Sequence, residues 1–489
     1  MTQPQAELEY ASARGRVVLA AAVLASGVAF LDSTVVNVAL PAIGRDLDAG
    51  LPVLQWIVDG YLLTLGSLVL VGGALGDLLG KRRVFETGLI AFGIASLGCG
   101  LAPTGELLVG ARLIQGAAAA LLVPNSLAVL TSTFRPADRG RAIGAWSGLA
   151  GVSTVIGPFA GGWLVDVASW RFVFLVNLPF IAAALVLSRR GIPDIPGTHR
   201  PGHAMREVDV GGAALVTAGL AVLVFPLIEY ARLPNGLVWA LLATGLVLLA
   251  VAVRHEWGRE RAGQAAILPV SLFGVRTFTA ANLVTLAIYG ALGGAMFLLS
   301  LTLQIGLGYS ALEAGLATLP ITVLLLVLSA RVGALLPRVG VRLPLTVGSL
   351  IMAAGLLLLT GVQASTSYWT GVLPGIVVFG AGLTLIVAPV TTTALADVEG
   401  MHAGAAAGIN NAVARIAALF AIAALPVLVG LDPDAIAEPA TLIDGFEAAM
   451  RICAGLCVAG ALAAFTLLPA GPVRRRARAA AGHATAGGR

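Results

Sequence analysis

The chain has 489 residues, of which 58% are hydrophobic and 11% charged, with a formal net charge of +5 and a pI near 9.5. Soluble domains carry about 25% charged residues, and here the apolar surplus comes in unbroken blocks of roughly 18 to 25 residues. This composition excludes a soluble globular domain, and the block length excludes a transmembrane β-barrel, whose strands need only about 9 to 11 residues.

In chain order the blocks predict fourteen membrane helices: 17–40, 54–76, 84–102, 107–131, 141–165, 170–189, 210–230, 236–253, 278–303, 311–330, 343–362, 369–395, 405–430 and 450–469. The first follows a short polar lead with Arg14 and Arg16 and lacks a small-residue cleavage site, so it reads as a retained span and not a signal peptide. Cys99, Cys453 and Cys457 lie inside blocks and read as buried structural thiols. His199, His203, His255, His402 and His483 fall in polar segments or the tail, which argues against a metal site or a histidine relay in the membrane.

An even span count places both termini on one side. Of 30 basic residues, Arg45, Arg171 and Arg232 fall in one set of loops, while Arg112, Arg415 and Arg451 lie in or at the edge of spans. The other 24 of the 30 lie on the opposite side, which the positive-inside rule makes cytoplasmic. The segment 431–449, with Asp432, Asp434, Glu438, Asp444 and Glu447 and no basic residue, reads as an outward-facing loop. The net charge implies contact with anionic membrane lipid and not with nucleic acid.

A repeat organises the spans. Gly73-Ala74-Leu75-Gly76-Asp77-Leu78-Leu79-Gly80-Lys81-Arg82 follows the second, and Gly333-Ala334-Leu335-Leu336-Pro337-Arg338-Val339-Gly340-Val341-Arg342 follows the tenth, sharing G-A-L-x-x-x-x-G-x-R. The expected fold is therefore an all-α membrane protein of two parallel six-helix bundles with two inserted helices. The predicted divisions are 1–190, the N-terminal bundle; 191–277, linkers and the two extra spans, joined through the Pro- and Gly-rich stretch Gly191 to Gly202; 278–470, the C-terminal bundle; and 471–489, a basic tail.

An ionisable side chain at membrane depth costs several kcal/mol and marks function by default. The candidates are Asp32, Asp59, Arg112, Arg415 and, near an outer end, Glu229. At roughly 1.5 Å per residue, Asp32 and Arg112 lie about 12 and 8 Å from the outer ends of their spans and can pair within the N-terminal half. Desolvation favours a neutral acid and a nearby guanidinium favours the carboxylate, so alternating exposure can load and release a proton. Asp32 is thus the candidate proton-coupling group with Arg112 as its partner; a purely structural ion pair is the alternative.

Asp59, beside Gly60 and Tyr61, is expected at the cavity mouth, either attracting cations or taking up a proton as a further coupling group, or as a simple interfacial acid. Asn37, Gln115, Asn410, Asn411 and Arg415 join Asp32 and Asp59 as candidate substrate-lining residues, with structural hydrogen bonding as the competing role. In the fifth span Gly148, Gly151, Gly157, Gly161 and Gly162 permit close helix approach, and Pro158 removes a backbone donor and kinks the helix. No nucleotide-binding loop, histidine pair in a span or catalytic-triad pattern is present, so ATP-driven transport, enzymatic catalysis and a bound cofactor are not expected.

Several strings resemble those of the major facilitator superfamily, specifically its fourteen-span drug:proton antiporter branch, over essentially the whole chain. They are Leu31-Asp32-Ser33-Thr34-Val35-Val36-Asn37-Val38-Ala39-Leu40-Pro41 in the first span; the loop carrying Gly73, Asp77, Gly80, Lys81, Arg82 and Arg83; Arg112-Leu113-Ile114-Gln115-Gly116; and Gly157-Pro158-Phe159-Ala160-Gly161-Gly162. Trp170 to Pro179 and Ser310 to Gly315 are further branch-like strings. Leu78 stands where the family has Arg, so Asp77 must pair with Lys81, Arg82 or Arg83, and Pro337 replaces the acid in the second copy.

The resemblance implies a monomeric plasma-membrane exporter that exchanges small lipophilic or cationic drugs or antibiotics for protons. In it the fifth-span motif closes one side against leaks, and the loop at Asp77 and Lys81 to Arg83 latches the cytoplasmic side. Glu313, at the outer start of span ten, is the only acid of that span, which argues against a preference for divalent cations. A metabolite exporter or proton symporter on the same fold is the alternative, and a proton-translocating subunit of a respiratory complex, or a membrane enzyme, is the reading from another class. A single lysine among the 30 basic residues suggests a high-GC bacterial genome, for which an antibiotic or self-made metabolite is a reasonable substrate.

Overall fold

A bilayer offers no water to satisfy peptide groups, so apolar blocks of this length must close their hydrogen bonds internally as helices. The computed structural model describes residues 8–194, 209–264, 266–398, 403–432 and 438–471. The stretch 195–208 with His199 and His203, and also His402, Asp434 and the tail from 472 with Arg474, Arg475, Arg476, Arg478 and His483, lie outside these.

In chain order the helices are α1 Ala13–Asp46, α2 Leu51–Leu79, α3 Lys81–Leu101, α4 Gly105–Thr133, α5 Pro136–Val167, α6 Arg171–Gly191, α7 Val210–Ile228, α8 Asn235–Arg261, α9 Arg276–Gly306, α10 Ala311–Val339, α11 Arg342–Gly361, α12 Tyr368–Leu395, α13 Ala403–Leu428 and α14 Pro439–Leu467. Among the described residues thirteen are long and apolar enough to cross a membrane, one fewer than the blocks predict. The helix outside that set is α5, 32 residues long, which stands where the fifth span is expected.

Helix ends follow local chemistry. Ser12, Thr104 and Asp209 cap α1, α4 and α7 by accepting from Gly15, Leu107 and Gly212, and Ser310 with Glu313 forms a capping box on α10. Glu313 therefore has a structural role at the helix start. Gly80 (φ 101°) and Gly340 (φ 75°) turn the chain at equivalent places in the two copies of the repeat, letting α3 and α11 begin within two residues.

The last helix begins at Pro439 and not near 450, so Asp444 and Glu447 belong to a helix and not to an outward loop. Leu442, Ile443, Phe446, Ala449 and Met450 are buried at helical spacing, which orders this segment despite the acids on its other face. The block reading counted only continuous apolar residues, and for the same reason it ended α1 and α10 too early, at 40 and 330 instead of Asp46 and Val339.

The pairings repeat. In the first six helices α1 packs on α5 and α6, α2 on α4, and α3 on α4 and α6; in the last six α9 packs on α13 and α14, α10 on α12, and α11 on α12 and α14. The two sets meet through α2 with α13, α5 with α10, and α1 with α9. The pair α7–α8 attaches through α7, which lies on α2 and α13.

The α5–α10 contact holds at one end only. Gly162 and Gly144 are 18 residues apart, about five helical turns, and face nearly the same way. A Cβ on Gly162 would sit 2.4 Å from the Ala311 carbonyl oxygen, whereas one on Gly144 meets nothing within 4 Å. On α10 a Cβ on Gly315 would sit 2.3 Å from the Pro158 oxygen, and one on Gly333, again 18 residues on, meets nothing within 4 Å. The two helices touch where α5 ends and α10 begins, and part toward the other end.

Candidate functional site

Asp32 projects from the middle of α1 into the first helix set, where it is fully buried. Its Oδ2 accepts from Arg112 Nη1 at 2.5 Å, and its Oδ1 accepts from Gln115 Nε2 and Asn177 Nδ2, both at 3.0 Å. Both amides also donate to Ser96 Oγ, at 2.9 and 3.3 Å. Arg112, only 1% exposed, donates through Nε to the Ile57 carbonyl at 2.9 Å and through Nη1 to Gln115 Oε1 at 2.6 Å. Its guanidinium carbon lies 4.3 Å from the Tyr61 ring centroid.

Four helices thus converge on the Asp32 carboxylate: α1 holds it, α4 supplies Arg112 and Gln115, α3 supplies Ser96 and α6 supplies Asn177. Arg112 and Gln115, three residues apart, share a face of α4, which is why the string Arg112 to Gly116 brings both to one acid. Asn177 stands where α6 is interrupted at Val176 between its short first segment and its main one. Removing one partner of a pair buried this completely costs about 3 to 5 kcal/mol, because it strands the other charge. The pairing anticipated from span depth is present, deeper than expected since α1 continues to Asp46.

The other polar candidates fall elsewhere. Asp59 is fully buried on α2, and neither carboxylate oxygen has a hydrogen-bond partner among the described residues, so it does not stand at an exposed mouth. It shares a face with Gln55, which donates to the Ile422 carbonyl at 2.8 Å, and with Gly66, whose added Cβ would lie 3.3 Å from Arg415 Cβ. That face looks across to α13, so this surface of α2 belongs to the contact between the two sets. Arg415 is half-buried there, and its Nε has no hydrogen-bond partner among the described residues. Asn410 donates to Asn282 Oδ1 at 3.2 Å and Thr285 Oγ1 at 2.8 Å on α9, a packing network within the second set, and Asn411 is half-buried.

Asn37, also on α1, keeps a buried side-chain oxygen without a partner among the described residues, while its backbone carbonyl accepts from Ser300 Oγ of α9 at 2.7 Å. Next to it, Gln304 Nε2 donates to the Val38 carbonyl at 2.9 Å. Glu229 accepts from Trp56 Nε1 at 3.2 Å and pairs with Arg232 at 3.1 Å, an interfacial arrangement that ties the start of α2 to the end of α7.

The glycine motif of α5 works on two sides. Cβ atoms at Gly157 and Gly161 would collide with Thr34 and Val35 of α1, and Gly162 and Pro158 meet the backbone of α10. Asp166, one turn on, accepts from the backbone N–H groups of Ala311 at 3.1 Å and Leu312 at 2.9 Å, so it caps α10 across the two sets. At the opposite end Asp77 is exposed and pairs with Lys81 at 3.6 Å, the local partner expected from Leu78; Arg82 pairs with Glu86 at 2.9 Å. Gly73 lies against Pro124 of α4.

Sequence reasoning did not assign Ser96, Asn177, Ser300, Gln304 or Asp166. Asn177 carried a signal, being a polar residue inside an apolar block and within a quoted string. The others are ordinary hydroxyls, amides and a helix-end acid whose partners are set only by the packing.

Thirteen long apolar helices, two sets with the same pairing and a buried acid–guanidinium network define a polytopic membrane transporter. The chain belongs to the major facilitator superfamily, whose family model matches residues 22–422. It is 37% identical over 407 residues to a Streptomyces coelicolor protein named "Probable actinorhodin transporter", covering 81% of this chain and 69% of that one. It is 34% identical over 406 residues to the tetracenomycin C resistance and export protein of Streptomyces glaucescens, covering 81% and 73%. A solved D-xylose–proton symporter superposes with a TM-score of 0.65 at 16% identity, over 93% of this chain and 98% of that one, which shows the shared fold. The protein is a multi-pass transporter and not an enzyme.

Proposed function

We propose that the protein is a proton-coupled exporter of small lipophilic or cationic antibiotics, working as a monomer in the plasma membrane with both termini cytoplasmic. In this reading α5 is the fourteenth span, residues 1–190 and 278–470 are the two rocking bundles, and 191–277 carries the insert. The names of the relatives support antibiotic export, and the basic loops support the orientation. The observation that carries proton coupling is the Asp32 network, a fully buried carboxylate held by one guanidinium and two amides.

The parting of α5 and α10 corresponds, in that orientation, to a transporter closed outside and open toward the cytoplasm. Asp32 here accepts from Arg112, Gln115 and Asn177, an arrangement that suits its carboxylate form. When the bundles rock to face outward, water reaches α1, a proton neutralises Asp32 and the bridge to Arg112 is released. Return to the inward state restores the bridge and gives the proton to the cytoplasm. Asp59 is a second acid available to carry a proton. Asn37, with its unpartnered oxygen beside the α1–α9 contact, and Arg415 beside α2 are the groups we assign to the substrate path.

The test is a panel of lipophilic cations and antibiotics added to energised inside-out vesicles, with a fluorescent reporter of internal pH. Substrate-dependent proton release is the expected result. Absence of release with every compound, together with proton-driven uptake in intact cells, would instead identify a symporter.

A further inference from the structure

The inserted pair presents a feature that antiport does not use. Among the described residues the pair packs on the bundles chiefly through α7; α8 leaves Leu246, Val247, Val251 and Val253 more than two-fifths exposed along its length, a surface suited to acyl chains. At its C-terminal end a cleft of about 560 Å³ is lined by Arg254, His255, Trp257, Arg259, Arg261 and Gln264. The chain turns back there at Gly263 (φ 66°), and the Gln264 N–H donates to the Arg259 carbonyl at 3.0 Å, forming the wall of the cleft.

The charges of the cleft do not balance. Asp209, the cap of α7, takes His255 and Arg259, each at 3.0 Å. Glu256 and Glu260 turn to the chain that follows, accepting from the backbone of Leu268 at 3.2 Å and Ser271 at 3.1 Å. Arg254 is exposed and has no carboxylate partner among the described residues; Arg261 stacks on the Trp257 ring with its guanidinium carbon 3.6 Å from the centroid and likewise has none. The result is two uncompensated guanidinium groups beside an indole, at the end of a lipid-facing helix.

We propose that this cleft binds the head group of an anionic phospholipid, with Arg254 and Arg261 holding the phosphate, Trp257 at the glycerol level and the acyl chains along α8. Guanidinium is suited to phosphate because its planar donors engage two oxygens together, and indole favours the membrane–water boundary. The apolar continuation along α8 selects a lipid over a free anion. The inference rests on the membrane embedding and on no assumption about antiport.

The test is native mass spectrometry of the full-length protein in detergent, titrated with phosphatidylglycerol, phosphatidylcholine or inorganic phosphate. The unaltered protein should take up phosphatidylglycerol in preference to phosphatidylcholine. An arginine near a membrane surface contributes about fivefold to anionic lipid binding, so R254Q/R261Q should weaken phosphatidylglycerol binding by about 25-fold, and R254K/R261K, which keeps the charges and loses the planar fork, should fall between the two. An unchanged preference in R254Q/R261Q, equal uptake of phosphatidylcholine, or displacement of the lipid by millimolar phosphate would each overturn the proposal. Because no drug or proton gradient enters the assay, its outcome is independent of the transport reading.

Discussion

Replacing Asp166 should shift the balance between the two faces of the transporter. Asp166 satisfies the first two backbone N–H groups of α10, at 3.1 and 2.9 Å, and Ser310 satisfies the third at 3.2 Å. Without Asp166 those two donors turn to water and the negative charge at a helix N-terminus is lost. A cap of this kind is worth about 0.5 to 2 kcal/mol and the charge at the helix end about 0.3 to 1 kcal/mol; since the side chain is exposed, about 1 to 2 kcal/mol in total is the appropriate range. These contacts span α5 and α10, so the energy belongs to the state closed at that end.

At 1.4 kcal/mol per tenfold, Asp166→Ala should therefore raise the ratio of opened to closed molecules by roughly 5- to 30-fold, with Asp166→Asn in between. Spin labels at Val167→Cys and Leu316→Cys report the separation by double electron–electron resonance, at a pH where both distances are populated. The native cysteines are buried and give little background. A ratio in Asp166→Ala within twofold of the unsubstituted value would refute the assignment of this contact to closure.

Gly162→Val places side-chain atoms against the Ala311 and Leu312 backbone, so it should abolish transport while leaving expression and membrane insertion intact, as judged by vesicle transport and immunoblotting. Asn410→Ala should lower thermal stability by about 1 to 2 kcal/mol through loss of buried hydrogen bonds and leave drug affinity unchanged, as measured by intrinsic fluorescence melting and equilibrium binding. At Asp209 burial raises the carboxyl pKa, but the Gly212 N–H, His255 and the Arg259 charge outweigh it and hold it below the ordinary value of 3.8. Its stabilisation is then complete above that value and lost as pH falls through the lowered one, so melting curves at falling pH should show an acid-side loss that Asp209→Asn lacks.

The span positions were legible because apolar blocks of membrane length have one structural solution. Their ends were not, since the last turns of α1 and α10 and the first turns of α14 carry charges or prolines that hydropathy discounts, while Phe446 and its neighbours still bury a stripe. The pairing of Asp32 with Arg112 was legible because two opposite charges in a low-dielectric half have few other partners, even though the depth estimate was too shallow. Gln115 and the glycines of α5 were visible as residue types, and only the packing shows that Gln115 serves Asp32 and that Gly162 meets α10. For Asp59 the height along α2 was readable from the sequence and the direction it faces was not.

The central claim is that protonation of Asp32 drives export. In proteoliposomes loaded with a compound identified by the vesicle panel, Asp32→Asn should retain drug exchange at zero gradient, because the neutral amide still permits rocking. It should also lose accumulation driven by a pH gradient, together with drug-induced proton movement. Normal gradient-driven accumulation by Asp32→Asn, with proton movement at the unsubstituted level, would contradict the account.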